Sequence, residues 1–465
     1  MNDNLKKWLP WIAVAAVALI VIVIIAVNSG GDDEAAATTT TAGETTTTAV
    51  EETTTTAVEE TTTTADAGAG DPEPGPLGAV TIAPGEDIQI RSVEAISGDV
   101  AFLGIPNQRG TELAIKDFGQ IAGRNVSLGT PLDGLCSAEG GQAAGQTIVS
   151  DEQVVGVIGT SCSGAGTAMS PLISEAGMVM ISPSNTSPAL TSDLAGTAGE
   201  NYKPGYYRTA HNDLFQGEAV AKFVFEELGL TKAAAIHDGD PYTNGLATAF
   251  KNAFEALGGE VVAFTAVNKG DTDMTGVLTE VAQAGPEVLF FPIFMPEGGF
   301  IAQQVGTVAG LEDVVLIGAD GLLTDNFMEL KETEGMYFSG PNLDFGNNAS
   351  EIGTTAGDFL AAYEAEYGEA PSAAFWAHSY DATVLLLTAI DEVAVELGDG
   401  SLFIDRQALR DALTATTNFG GIIGTLSCDD FGDCGAQRIS IVLHEDSSDI
   451  EAGKSNIIYE FSPIG

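Results

Sequence analysis

Basic residues are scarce in this chain: 17 Lys and Arg stand against 66 Asp and Glu among 465 residues, a formal net charge of -49. Nucleic acid and anionic membrane surfaces both need clustered Lys and Arg, so this surface suits neither as a partner. Histidine is scarcer still, with four in all: His211, His237, His378 and His444. No His-x-x-x-His or Cys/His cluster of ligand spacing exists, so the sequence gives zinc no support. The Gly-x-x-x-x-Gly-Lys-Ser/Thr phosphate loop is absent, and so is Gly-x-Gly-x-x-Gly after the first strand-like run. A nucleophile elbow needs Gly-x-Ser-x-Gly with a histidine and a carboxylate after it. The stretch that comes nearest, Gly159-Thr160-Ser161-Cys162-Ser163-Gly164, misses that spacing. The expectation is a non-enzyme without metal or cofactor.

Cysteine is also sparse, and none precedes Cys136, which excludes a lipid-modified cysteine near the N-terminus. What the N-terminus does have is "WLPWIAVAAVALIVIVIIAV", residues 8–27, twenty residues without a charge. That length crosses a bilayer core of about 30 Å. Lys6 and Lys7 before it and "GGDDE" after it place the N-terminus inside and the rest of the chain outside. The expectation is a single-pass anchor over residues 1–27 at the extracytoplasmic face; a cleaved signal peptide and a secreted protein are the alternative. Residues 28–77 then form a Thr/Glu/Ala-rich linker in which "ETTTTAVE" recurs with a period of eight and no aromatic residue occurs. Such a tract cannot bury a core. As a coil it reaches on the order of 40 Å, enough to act as a tether, bare or glycosylated.

Beyond the tether, residues 78–465 alternate short apolar runs with helical stretches. Strand-like runs begin at Ile88, Val154, Met178, Lys232, Glu260, Glu287 and Val314. Strands that are apolar throughout, separated by helices, indicate parallel sheets with helices on both faces. At least ten such units exceed one ordinary sheet, so two α/β lobes are expected. A closed eightfold barrel is the runner-up, against which the long helical pattern after Ser372 speaks. The four cysteines of an exported chain suggest disulfides, with Cys428 and Cys434 flanking a turn and Cys136 and Cys162 each following a strand.

The order of segments resembles the type I solute-binding proteins of ABC importers, specifically the branched-chain amino acid (Leu/Ile/Val) binding proteins. The resemblance covers residues 88–435 and is carried by "ISGDVAFLGIPNQRGTELAI", "VVGVIGTSCSGAGTAMSPLISEAGMVMISPSNTSPALT", "YYRTAHNDLFQGEAVAKFV", "AAAIHDGDPYTNGLATAF" and "LFFPIFMPEGGF". It implies two Rossmann-like lobes with a three-crossing hinge: lobe 1 near 86–208 and 342–437, lobe 2 near 209–341 and 438–465. The hinge would include Arg208 and Thr209. It also implies a site in which Ser163 and Thr186 give hydroxyls and backbone N–H groups to an amino acid, and Ser184 gives backbone contacts. Tyr242 and Asp320 would close from the second lobe, with Asp320 on the ammonium. Three positions depart from the family pattern. Phe294 lacks the hydroxyl of the usual aromatic, Leu103 replaces an aromatic, and Asp320 is one methylene shorter than the usual glutamate.

Anchor, tether and resemblance together lead to the expectation of a monomeric, membrane-tethered binding protein. It would capture an amino-acid-like solute by lobe closure and deliver it to ABC permease subunits. The alternatives are the ligand-sensing ectodomain of a receptor complex, or a binder of amides, urea or small carboxylic acids.

Overall fold

The computed structural model describes residues 71–463. The expected anchor and the tether up to residue 70 lie outside the described residues, and among these no helix is long and apolar enough to cross a membrane.

Two open sheets organise the chain, not a closed barrel. The first contains β1 (Ile88–Glu94), β2 (Val126–Ser127), β3 (Leu132–Asp133), β4 (Val154–Gly159), β5 (Val179–Ser182) and β6 (Tyr206–Arg208). Its order is β2-β1-β4-β5-β6 with every pair parallel, and β3 also pairs with β1. Every residue of β4 and β5 is buried, which is why "VVGVIG" and the first three residues of "VMIS" are continuously apolar instead of alternating. The second sheet contains β7 (Lys232–His237), β8 (Glu260–Ala266), β9 (Val288–Phe290), β10 (Val315–Gly318), β11 (Tyr337–Pro341), β12 (Ile439–Leu443) and β13 (Ile457–Phe461). Its order is β13-β12-β11-β10-β9-β7-β8, parallel from β8 to β11 and antiparallel in its last two pairs.

The chain passes between the two sheets three times. It leaves β6 for the second sheet after Arg208 and leaves β11 after Pro341. Two helices, α1 (Ala356–Tyr367) and α2 (Trp376–Val393), then pack on the first sheet before the chain returns to β12. Their apolar faces explain the return: Phe359, Tyr363, Trp376, Tyr380 and Leu386 join Ile90, Ile158 and Ile181 in one core. Phe359 stacks on Trp376 with centroids 4.6 Å apart, worth about 0.5–1.5 kcal/mol beyond the area buried. Gly156 allows α2 to sit close, since a Cβ there would lie 3.0 Å from a Leu386 methyl.

The crossings lie side by side. The Arg208 N–H bonds the Gly432 carbonyl at 2.9 Å, and the Cys434 N–H bonds the Arg208 carbonyl at 3.0 Å. Arg208 is fully buried. Its guanidinium pairs with Asp433 and donates to the carbonyls of Asn185 (3.0 Å) and Ser187 (2.9 Å) and to Thr191 Oγ1 (2.7 Å). Both cysteine pairs are closed, Cys136 with Cys162 and Cys428 with Cys434.

Candidate functional site

In both sheets the parallel strands point their C-terminal ends at the same cleft, where an open α/β sheet places its ligand sites. The first sheet delivers the turns after β4 and β5. The turn after β4 opens α3 (Ser163–Glu175), whose N-cap Cys162 makes no side-chain cap. The first-turn N–H groups of α3 therefore lack intrahelical acceptors. Ser163 Oγ does not cap its own helix but accepts the Ser187 N–H at 3.3 Å from the turn after β5. The turn after β7 starts α4 (Pro241–Leu257), capped by Asp240, whose Oδ1 accepts the Tyr242 N–H at 3.0 Å. The segment after β9 supplies Phe294, and the segment after β10 supplies Asp320.

Ten residues line the cavity between these turns: Leu103, Ser161, Cys162, Ser163, Ser184, Tyr242, Phe294, Asp320, Gly321 and Phe375. The cavity is small. Its volume is about 10 Å³. Contacts between the two halves surround it: Ser187 Oγ donates to the Pro241 carbonyl at 3.2 Å, and Asn326 Nδ2 donates to the Asp99 carbonyl at 3.2 Å.

Asp320 is the anionic centre of the cavity. Its Oδ1 accepts Gln216 Nε2 at 2.7 Å and the Tyr242 hydroxyl at 3.1 Å, which leaves Oδ2 for a ligand. Gln216 is held in turn by His211, with Nε2 2.5 Å from Gln216 Oε1. Burial lowers His211 to about 4, so it is neutral and donates from Nε2 at pH 7. Burial pushes Asp320 up to about 6, while the bonds from Gln216 and Tyr242 oppose that shift. The carboxyl does not cap the short helical turn Asp320–Leu322. Tyr242 is held well above its ordinary value by burial and then by the charges of Asp320 and Asp213. Among the described residues no group of three His, Cys, Asp or Glu side chains has metal-binding geometry.

Six of the seven residues proposed from the sequence meet at this cavity: Leu103, Ser163, Ser184, Tyr242, Phe294 and Asp320. Thr186 does not reach its wall. It is fully buried, with its hydroxyl beside the carboxyl group of Asp213. Burial raises Asp213 well above the ordinary carboxylate value, the nearby Asp320 adds to this, and Thr186 and Arg208 oppose it.

Sequence reasoning missed Ser161, Phe375, Gln216 and Glu94. Ser161 lies in the same turn as Ser163, and nothing in the local sequence distinguishes its hydroxyl as a second cavity group. Phe375 is the N-cap of α2, a helix that reads as core. Gln216 and Glu94 have no local pattern, since their partners lie 104 and 67 positions away.

A family model described as "Periplasmic binding protein" matches residues 87–433. The Leu/Ile/Val-binding protein homolog 3 of Brucella melitensis is 30% identical over 365 residues, covering 77% of this chain and 92% of that protein. The leucine-, isoleucine-, valine-, threonine- and alanine-binding protein of Pseudomonas aeruginosa is 27% identical over 352 residues, covering 75% and 87%. Among solved structures, a leucine-binding protein of Thermotoga maritima superposes with a TM-score of 0.68 at 23% identity, covering 81% of this chain and 99% of that one.

Proposed function

This chain belongs to the periplasmic binding protein family, and from that premise we propose that it is the extracytoplasmic substrate-binding protein of an ABC importer. Its ligand is a small α-amino acid, captured by closure of the two lobes. The observation that carries the reading is the placement of Asp320. A buried carboxylate with one oxygen uncommitted faces a cavity whose opposite wall is the N-terminal turn of α3 with Ser163. An α-ammonium satisfies the carboxylate, and an α-carboxylate satisfies the helix N-terminus. A zwitterion therefore bonds to both halves at once. Such contacts exist only when the cleft is shut, so ligand shifts the population toward the closed form. The names of the relatives support the ligand class, and the apolar run of residues 8–27 with the tether behind it supports a position at the outer membrane face.

Thermal unfolding of the purified full chain against amino acids, amides, urea and small carboxylic acids tests the proposal. A ligand at a hundred times its Kd adds about 2.7 kcal/mol. Stabilisation by α-amino acids and not by their deaminated analogues is expected. A response confined to acids or amides overturns the ammonium role of Asp320.

A further inference from the structure

The α-amino acid reading uses Ser163, Ser184, Tyr242 and Asp320 and leaves one polar element of the cavity without a role. Ser161 lines the cavity, and behind it lies Glu94, the last residue of β1, fully buried. The Ser161 hydroxyl donates to Glu94 Oε2 at 2.5 Å and accepts the Ala95 N–H at 3.0 Å. A serine hydroxyl has one hydrogen and two lone pairs. With the hydrogen committed to Glu94, only a lone pair remains for the cavity. Ser184, the next serine of the wall, is committed in the same way. Its hydroxyl donates to the Ser161 carbonyl at 3.0 Å and accepts Asn107 Nδ2 at 3.1 Å. Behind these serines Glu94 Oε1 and Asn107 Oδ1 are buried without a hydrogen-bond partner.

The hydroxyls of Ser161 and Ser184 have both committed their hydrogens and offer the cavity only lone pairs. They face the same small cavity as the apolar side chains of Leu103, Phe294 and Phe375. Resting on the α-amino acid reading, we infer that Ser161, fixed by Glu94, selects a ligand whose short side chain ends in a hydrogen-bond donor, a hydroxyl or amide, over a hydrocarbon of the same shape. A hydrocarbon there leaves the lone pairs of the serines buried and unpaired, and sites of this kind discriminate strongly. A proton on Glu94 does not alter the argument. Carried on Oε1, it leaves Oε2 to receive the Ser161 hydrogen.

The test is calorimetric titration of the full chain with two shape-matched pairs, threonine against valine and asparagine against leucine. The expected result is at least tenfold tighter binding of the donor-bearing member in one pair or both. In Ser161→Ala that preference falls below about threefold, mainly because valine, no longer set against an unpaired lone pair, binds more tightly. Glu94→Met, which frees the Ser161 hydrogen to turn into the cavity, also lowers the preference and keeps Ser161 in place should Ser161→Ala fold poorly. Valine and leucine binding as tightly as threonine and asparagine in the unaltered protein overturns the inference and leaves the α-amino acid reading intact. Failure of every α-amino acid to bind overturns both.

Discussion

Gly164 and Asp240 meet across the cleft: a Cβ placed on Gly164 would lie 2.4 Å from Asp240 Oδ2. Gly164 is the second residue of α3, and Asp240 is the N-cap of α4, so two helix N-termini approach each other there. Asp240 cannot simply swing away. It is buried, its Oδ1 holds the Tyr242 N–H, and Lys269 lies 3.4 Å from its Oδ2.

Gly164→Ala is therefore expected to obstruct closure without disturbing either half. Ligand affinity falls at least tenfold, while the melting temperature without ligand changes little. Asp240→Ser keeps a capping oxygen on α4 but withdraws the clashing one. The double variant then recovers most of the affinity. Calorimetry on the four proteins of this cycle is the measurement. Equal losses in Gly164→Ala with and without Asp240→Ser remove the steric account.

The proposed ammonium contact of Asp320 makes ligand capture depend on acid. The folded-state value of Asp320 is about 6, raised mainly by burial, and the residue holds an ammonium only as the carboxylate. Affinity for an α-amino acid is thus full above pH 7 and falls below about pH 6, by up to about tenfold per pH unit for one proton. Asp320→Asn loses about 2–5 kcal/mol of binding, the cost of leaving a buried charge partner unpaired. Its residual affinity no longer depends on pH in that range. Titrations at pH 5, 6, 7 and 8 separate these behaviours, and a pH-independent Kd in the unaltered protein removes the ammonium contact.

Arg208 sits where the first crossing leaves β6, fully buried against Asp433 of the third. The desolvation cost of both ions is met by the pair and by the three further bonds to Asn185, Ser187 and Thr191. Removing one partner strands the other. Asp433→Ala is expected to destabilise the fold by about 3–5 kcal/mol. A loss below 1 kcal/mol in denaturant titration would show that the hinge does not depend on the pair.

The alternation of buried strand and helix was legible because parallel strands covered on both faces read as continuous apolar runs; β4, β5 and β7 follow the runs almost residue for residue. The run "EVLFFPIF" was less faithful. Only Val288–Phe290 forms strand, and the chain then leaves the sheet to carry Phe294 to the cavity. Small hydroxyl residues after strands marked Ser163 and Ser184, because a strand-to-helix turn confines the choice of side chain locally. Thr186 looked equivalent in sequence, yet it turns toward Asp213, a residue from the next crossing. Glu94 was invisible for a related reason. A glutamate closing an apolar run reads as a solvated end, and only the return of β4 beside β1 buries it under Ser161.

That burial leads to a stability prediction with a definite sign. Burial raises Glu94 from 4.5 to about 8, against the weaker opposing effect of the Ser161 hydrogen bond and the nearby Asn107 amide. Below pH 4.5 the carboxyl is protonated whether the chain is folded or not, and the contribution of Glu94 is fully present. Between pH 4.5 and 8 the folded protein holds a proton that the unfolded chain has lost, so stability declines as pH rises through this window. Asp381, raised by burial to about 7, acts in the same direction, so the unaltered protein alone does not isolate Glu94. Comparison with Glu94→Gln does, because the amide keeps the shape and does not ionise. The variant should gain on the unaltered protein from pH 5 to pH 9, by on the order of 3 kcal/mol for a shift of this size. Chemical denaturation at the two pH values gives the difference directly. A difference that stays constant with pH would mean that Glu94 ionises as easily in the folded protein as in the unfolded chain, and that water reaches it behind Ser161.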